Sequence, residues 1–266
     1  MLKLLIRRIF IVSIFCFCTG VSAKNVSFDF LSSSPVGSWQ VREQIDTNHK
    51  GKKTGSIIRT SMISKEQRNG KPHYWIEVGM DTFKINKKGK RKTTGKRTVI
   101  KSLVPESTLT GDPANVLNNL RAFGVEMIMQ SGNAKPMRIS GTEGMMASAM
   151  KMSNAEIEYE FEALGPEKIS VAAGEFATNK IKGSGSVDMK VVFKKVHVDS
   201  DSTMWISNKV PFGTVKTKGT AVTNNKSTTT ISELMEFGVS GAKSEITKEP
   251  DDMPEIPKLG DLFGGN

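Results

Sequence analysis

Cysteine is almost absent from this sequence of 266 residues, and both copies, Cys16 and Cys18, lie within the first 23 positions. These positions have the layout of a secretory signal peptide, so both cysteines would leave with it. A mature chain without cysteine has no disulfide, no thiolate metal site and no cysteine nucleophile. Large secreted domains commonly use disulfides in an oxidising eukaryotic lumen, so their absence favours a bacterial periplasm.

Long apolar runs are also absent, apart from residues 9–18 within the signal peptide. This run follows Lys3, Arg7 and Arg8 and precedes a cleavage-site pattern that ends at Ala23. A retained membrane anchor would need roughly 18 or more apolar residues, and a lipoprotein signal would need small residues, not phenylalanine, before its cysteine. We expect cleavage to remove three cations, to lower the formal charge from +11 to +8, and to leave a soluble periplasmic chain with no transmembrane segment.

Catalytic and metal-binding motifs are missing as well. The three histidines, His49, His73 and His197, lie far apart in the sequence, and none has a second ligand type at metal-site spacing. The Gly-Ser-Gly-Ser segment at residues 183–186 lacks the spacing of a nucleophile elbow and predicts a loop. The four glutamates of residues 156–162 share one polar strand face instead of facing each other across a cleft. We therefore predict a protein that is not an enzyme and that uses no metal or cofactor.

Alternating apolar and polar residues predict strands along most of the mature chain. In the clearest segment, residues 155–163, Tyr159 and Phe161 fall on one face and glutamates fall on the other, which describes a strand with one solvated face. Gly165-Pro166 then predicts a turn, and a change of parity at Lys194-Lys195 predicts a bulge. The other strand candidates are residues 38–45, 56–64, 74–80, 98–104, 168–171, 175–182, 189–198, 203–207, 214–222 and 228–237.

Residues 113–152 are predicted to form a helical insertion. Asp112-Pro113 offers an N-cap followed by proline at the first helical position. Apolar residues then recur at helical spacing, and a second short helix is predicted over residues 142–152, where methionines cluster. The apolar positions of the first helix are Val116, Leu117, Leu120, Phe123 and Met127.

Together these patterns predict a fold that is mainly β with a helical insertion (α+β). We expect one domain, residues 26–245, with a single strongly curved antiparallel sheet of roughly ten strands that is covered by one or two helices. Residues 248–266 are rich in proline, glycine and acidic side chains and predict a disordered tail.

Positive charge is concentrated in residues 84–97, which contain eight cations and no acid. The segment lies between two strand candidates and therefore predicts a projecting hairpin. Such a loop would attract an anionic membrane surface or an envelope polymer, and the alternative is a solvated loop that protects a sheet edge from aggregation. The export signal and the lack of aromatic residues argue against nucleic acid. The cations are Lys84, Lys87, Lys88, Lys90, Arg91, Lys92, Lys96 and Arg97.

Two segments of the C-terminal half carry a family resemblance. Residues 171–178 read VAAGEFAT and residues 205–216 read WISNKVPFGTVK. This strand–turn–strand pattern resembles the Lol-type lipoprotein carriers and their periplasmic relatives. The resemblance implies a half-open antiparallel β-barrel whose concave apolar face is closed by helices and holds acyl chains. No catalytic residue comes with it.

Two functions remain open at this level. One is a non-enzymatic periplasmic carrier of an apolar, lipid-like ligand or acylated partner, and the other is a structural or adaptor protein of the envelope that binds another protein or an anionic polymer. For the carrier we expect apolar residues of two strands to face a cavity beneath the first helix, although the same residues could instead pack as a dry core. The oligomeric state stays open. The cavity residues would be Tyr74, Ile76, Leu117, Leu120, Phe123, Met127, Tyr159 and Phe161.

Overall fold

The computed structural model of the protein describes residues 28–29, 31, 33–111, 125–140, 156–191 and 194–252, and these residues are almost entirely extended. Fifteen strands are present in the described part of the chain. They are β1 Phe28–Asp29, β2 Trp39–Asn48, β3 Lys53–Arg68, β4 Lys71–Ile85, β5 Arg91–Thr93, β6 Thr98–Pro105, β7 Thr110–Gly111, β8 Glu126–Ser131, β9 Met137–Ser140, β10 Glu156–Val171, β11 Gly174–Val191, β12 Lys194–Ile206, β13 Thr214–Thr223, β14 Lys226–Gly238 and β15 Asp251–Asp252.

Thirteen of these strands form one sheet, and β1 and β7 pair separately. The order along the sheet is β10-β11-β12-β13-β14-β2-β3-β4-β6-β8-β9-β15. The short strand β5 pairs with the C-terminal end of β4. All neighbours are antiparallel except β15 and β9. The C-terminal strands thus form a meander that joins the N-terminal strands through the pairing of β14 with β2.

The β-rich part of the sequence prediction is confirmed, but the helical insertion is wrong. Within the described residues the one helical segment is a single 3-10 turn, Glu106–Thr108. The middle of the predicted insertion forms β8 and β9, and Met127 lies in β8 opposite Ser102 of β6. A short apolar run is compatible with either a helix or a strand, and here pairing with β6 decides between them. The predicted helix positions Val116, Leu117, Leu120 and Phe123, like residues 142–152, lie outside the described residues.

The half-open barrel is also wrong, because the described strands form an open sheet. Its edge strands, β10 and β15, do not pair with each other. The sheet nevertheless curves, since the turn between β10 and β11 reaches across to β14, where the Ala173 N–H donates to the Leu234 carbonyl at 3.3 Å. Phe176, Val210 and Val215 pack with Leu234 at this contact.

Three local predictions along β10 to β12 require correction. Gly165-Pro166 lies inside β10 and is not a turn: both residues are in register with β11, just after a bulge between Ala163 and Gly165. Proline is tolerated there because β10 is an edge strand. Residues 183–186 belong to β11 and not to a loop. The predicted bulge at Lys194-Lys195 is instead the start of β12, which is antiparallel to β11 with Lys194 opposite Val191.

A C-terminal strap, residues 239–252, crosses the sheet after β14 ends. The buried Glu77 carboxylate accepts hydrogen bonds from Ser244 Oγ at 2.6 Å and from the Glu245 N–H at 2.8 Å. Further along, Ile246 packs against the apolar cluster that includes Trp75. The strap ends in β15, the edge strand that pairs with β9. Residues 253–266 lie outside the described residues, so a disordered tail there stays a prediction.

None of the helices in the described part of the chain combines the length and the apolar character needed to cross a membrane.

Candidate anion-binding surface

The predicted cavity residues do not meet in one place. Tyr74 and Ile76 of β4 are buried in a cluster with Met62, whereas Tyr159 and Phe161 of β10 pack on each other with ring centroids 5.2 Å apart. Six strands of the sheet separate β4 from β10. Met127 is half-buried in β8, and Leu117, Leu120 and Phe123 lie outside the described residues.

In two grooves on the described surface, most of the lining residues are polar. The larger, about 400 Å³, lies on the face of β10 to β12 that presents the glutamates and aspartates. The smaller, about 310 Å³, lies beside the turn between β3 and β4 and includes Arg68, Lys71 and His73. Neither groove offers the apolar lining that an acyl chain would need.

The acidic face of β10 to β12 follows the predicted alternation. Glu158 and Glu160 are exposed, while Tyr159 and Phe161 between and beside them are buried. The prediction of one solvated face is therefore confirmed for these positions.

On β12, His197 lies between Asp188 at 2.9 Å and Asp199 at 3.0 Å. Hydrogen bonding to Asp188, the largest cause, and then to Asp199 raises the pKa of His197.

The three histidines remain apart in space. His49 lies in the turn between β2 and β3, His73 in β4 and His197 in β12. His73 Nδ1 lies 2.9 Å from the Lys71 carbonyl oxygen, as expected for a histidine that stabilises local backbone. In the described part of the chain, no group of three or more histidine or acidic side chains could hold a metal ion.

The basic segment forms the projecting hairpin that the sequence predicts. β4 ends at Ile85 and β5 returns beside it, and the turn between them is closed by Asn86. Asn86 Oδ1 accepts hydrogen bonds from the Lys88 and Lys90 N–H groups, each at 2.9 Å. Gly89 takes a φ of +76°, which glycine adopts without strain. Because the backbone satisfies itself, the lysine side chains of this turn extend into solvent.

The eight cations of this segment divide into two sets. The six lysines are exposed, and none forms an ion pair with any residue that the structure describes. Both arginines are engaged by carboxylates: Arg91 Nη1 lies 2.6 Å from Glu43 Oε1, and Arg97 contacts Asp81 and Glu245. The hydrogen bond to Glu245, ahead of the other causes, raises the pKa of Arg97. The arginines therefore hold the hairpin and the strap, and the lysines form the candidate anion-binding surface.

Two of these lysines face each other directly. Lys84 of β4 is in register with Lys92 of β5. Like charges directly opposite on an antiparallel pair are destabilising. An anion bound at this point would relieve the repulsion, whereas an apolar or cationic partner would not.

Sequence reasoning missed a second lysine-bearing turn at residues 48–52. The signal that could have found it is a repeated spacing, Asn-x-Lys-Gly-Lys, which occurs at residues 48–52 and again at residues 86–90.

Comparison with known proteins adds two distant structural neighbours. No protein-family model matches the chain, and no curated protein matches it. A candidate lipoprotein from Parabacteroides distasonis aligns with 81% of this chain and 100% of its own length, at 16% identity and a TM-score of 0.37. A candidate exported protein with a YmcC-like fold from Bacteroides fragilis aligns with 80% of this chain and 100% of its own length, at 14% identity and a TM-score of 0.34. Both TM-scores lie below 0.5, which is too low to assign a function.

Proposed function

We propose that this protein is a non-enzymatic, exported component of the bacterial envelope that docks on anionic membrane surfaces through the lysine hairpin of residues 84–96. The observation that supports this proposal is the hairpin itself. Its six lysines are exposed and have no carboxylate partner among the described residues. Its two arginines are already paired, so the hairpin keeps its shape while its lysines remain available.

The magnitude of the attraction is sufficient for docking. A basic side chain close to an anionic bilayer contributes about 1 kcal/mol, and the attraction decays within a Debye length, about 10 Å at 0.1 M salt. Even with a discount of half for lysines that point away from the bilayer, six of them give about 3 kcal/mol. This corresponds to a partition coefficient raised by about a hundredfold.

An extended anionic surface fits this hairpin better than a small soluble anion. Neither described groove includes any of its lysines. The exposed lysines of a hairpin can contact several phosphates of a headgroup layer at once, whereas tight binding of one phosphate would need their ammonium groups to converge on it. The carrier hypothesis has weaker support, because Tyr74, Ile76, Tyr159 and Phe161 are buried against protein neighbours.

The proposal can be tested by co-sedimentation of the mature chain with vesicles. We expect binding to vesicles that contain phosphatidylglycerol and none to pure phosphatidylcholine, and we expect binding to fall as salt rises. Lys87→Glu, Lys88→Glu and Lys90→Glu together should lower the partition coefficient by about tenfold or more, at about half of 1 kcal/mol per lysine. Arg91 and Arg97 stay unchanged, because reversing them would break the ion pairs that hold the hairpin and the strap.

A matched control changes the same charge elsewhere on the surface. Lys209, Lys243 and Lys248 are exposed and lie outside the hairpin, in the loop after β12 and on the strap. Their replacement by glutamate gives the same net charge as the hairpin variant. We expect this control to bind as the wild type does, apart from a small loss from net charge. Equal binding by the hairpin variant and the wild type would overturn the proposal.

A further inference from the structure

The turn between β2 and β3 has the same construction as the lysine hairpin. Asn48 Oδ1 accepts hydrogen bonds from the Lys50 and Lys52 N–H groups, each at 3.0 Å. The Asn48 N–H donates to the Lys52 carbonyl at 3.1 Å, and Gly51 takes a φ of +72°. The equivalent bonds in the hairpin join Asn86 to Lys88 and Lys90. In both turns the asparagine satisfies the backbone and leaves two lysine side chains exposed.

The two turns lie side by side at one end of the sheet. Lys53, the first residue of β3, is in register with Ile85, the last residue of β4. The strands β2, β3, β4 and β5 are consecutive neighbours, so the centres of the two turns are two strand spacings apart, about 10 Å.

A third turn continues the same row. The chain reverses between β13 and β14 at Asn224 and Asn225, whose φ angles of 49° and 59° are those of a tight hairpin turn. Lys226 follows and is exposed. Thr228 of β14 is in register with Asn48 of β2, which places this turn at the same end of the sheet, on the other side of the turn of β2 and β3.

The carboxylates near this row in the register already have other partners: Asp199 of β12, opposite Val222 of β13, lies 3.0 Å from His197 Nε2. Asp46 accepts hydrogen bonds from Thr230 Oγ1 at 2.6 Å and from Gln44 Nε2 at 3.2 Å. Glu43 is paired with Arg91. Lys50, Lys52 and Lys226 have no ion pair with any residue in the described part of the chain.

We infer that the turn of residues 48–52, together with Lys226, is a second anion-contacting region, and that the three turns form one row that binds the phosphates of an anionic lipid headgroup layer. This inference rests on the proposed function and extends it to residues outside the basic segment of 84–97. Three lysine-bearing tips spaced along the end of a sheet fit phosphates that are distributed over a surface. They do not fit a single phosphate, which would need its donors to converge on one point.

The test compares two matched double variants. Lys50→Glu with Lys52→Glu changes the second turn, and Lys87→Glu with Lys90→Glu changes the hairpin, while Asn48, Asn86 and both glycines are kept. On phosphatidylglycerol vesicles, each pair should lower the partition coefficient by about fivefold, given a little over twofold for each lysine. The combined variant should lose about the product of the two effects, and Lys209→Glu with Lys248→Glu should bind as the wild type.

The outcomes separate this inference from the proposed function. If the hairpin pair loses binding and the second-turn pair binds as the wild type, the inference is wrong and the proposed function stands. If the wild type does not bind these vesicles, both fail. One-to-one binding of inorganic phosphate with an affinity comparable to that of the vesicles would also overturn the inference, because it would indicate a single-anion site.

A second measurement keeps the test valid if a variant folds poorly. Acetylation of the wild-type protein, followed by mass spectrometry, reports the exposure of each lysine without any substitution. On phosphatidylglycerol vesicles, Lys50, Lys52 and Lys226 should be protected together with Lys87 and Lys90, and Lys209 should react as it does in solution. Unchanged reactivity of Lys50, Lys52 and Lys226 would contradict the inference.

Discussion

Gly183 of β11 lies beneath two aromatic rings of the neighbouring strand β10. A Cβ atom at this position would lie 2.6 Å from Phe161 Cε1 and 2.9 Å from Tyr159 Cε1, closer than packed atoms come. The Tyr159 hydroxyl accepts a hydrogen bond from Ser200 Oγ at 3.0 Å, which holds that ring over the sheet. The glycine is therefore needed for close approach of the rings, and not for a turn or a flexible loop.

Gly183→Ala should destabilise the protein by about 1–3 kcal/mol, because the added methyl must displace a ring that neighbouring side chains hold in place. Urea unfolding followed by tryptophan fluorescence measures this change. The control is Ser184→Ala at the next position, on the opposite, acidic face, which should change the unfolding free energy by no more than about 0.5 kcal/mol. Equal midpoints for Gly183→Ala and the wild type would show that the rings can move away freely.

The glycines of β11 predict a loop in the sequence but lie in a strand in the structure. Alternating glycine and serine is typical of loops when only the segment itself is considered. The reason for the glycines lies on β10, where Tyr159 and Phe161 are in register with Gly185 and Gly183. The alternation of residues 156–162 identified the buried aromatic face correctly, but it could not indicate which strand those rings would cover.

At the scale of elements, the strap depends on a small group of charged side chains. Glu77 is only 2% exposed and accepts two hydrogen bonds from the strap. Beside it, Arg97 Nη2 lies 2.6 Å from Glu245 Oε1. Gly79 leaves room for this pair, because a Cβ atom there would lie 2.8 Å from Glu245 Oε1. The strap is therefore attached to β4 through polar contacts as well as through Ile246.

The attachment of the strap should weaken in acid. The hydrogen bond from Arg97, the largest cause, holds the pKa of Glu245 below its ordinary value of 4.5. A carboxylate with a lowered pKa stabilises the folded state above the unfolded-state pKa, and this contribution is lost as the pH falls through the folded-state pKa. Glu245→Gln should therefore lower the free energy of unfolding at pH 6–7, by about 1 kcal/mol or less for a partly exposed pair, and should have little effect at strongly acidic pH.

Urea unfolding of the wild type and of Glu245→Gln across this pH range measures the difference. Glu236→Gln serves as the control, because Glu236 is exposed at the end of β14 and has no ion pair with a described residue. A difference between Glu245→Gln and the wild type that stays constant down to the lowest pH would contradict the assigned role of the carboxylate.

The strap and the roles of the arginines could not be predicted from the sequence. Local alternation predicts strands, and it located most of the paired segments from β2 to β14. The partner of Arg97 is Glu245, 148 positions further along the chain, and no local pattern connects the two. For the same reason the eight cations of residues 84–97 looked equivalent in the sequence, although the structure separates six lysines from two structural arginines.

At the scale of the whole molecule, acidic and basic side chains are concentrated in different parts of the open sheet. Exposed glutamates and aspartates occupy one face of β10 to β12, while lysines occupy the turns at the end of β2 to β5. Charged side chains and a proline on the edge strand β10 also discourage pairing with another sheet.

The acidic face and the basic segment can each be predicted from the sequence, because each is contiguous in the chain. The row of three basic turns becomes visible only when the register brings residues 48–52, 86–90 and 224–226 to the same end.

A surface-binding protein and a lipid carrier differ in what they retain through purification. Apolar side chains that would line a cavity are already in contact with protein: Tyr74 and Ile76 pack with Met62, and Phe161 lies on Gly183. An enclosed acyl chain gains about 0.8 kcal/mol for each CH₂ that it buries, so a carrier would retain its lipid through purification. Native mass spectrometry of the mature protein, purified without detergent, should instead give the mass of the polypeptide alone. The same measurement after incubation with a fatty acid is the control for ligand lost during purification, and it should also show no one-to-one complex. A stoichiometric lipid adduct in either sample would favour the carrier. It would mean that the apolar residues can open to accept a lipid, instead of packing only against each other.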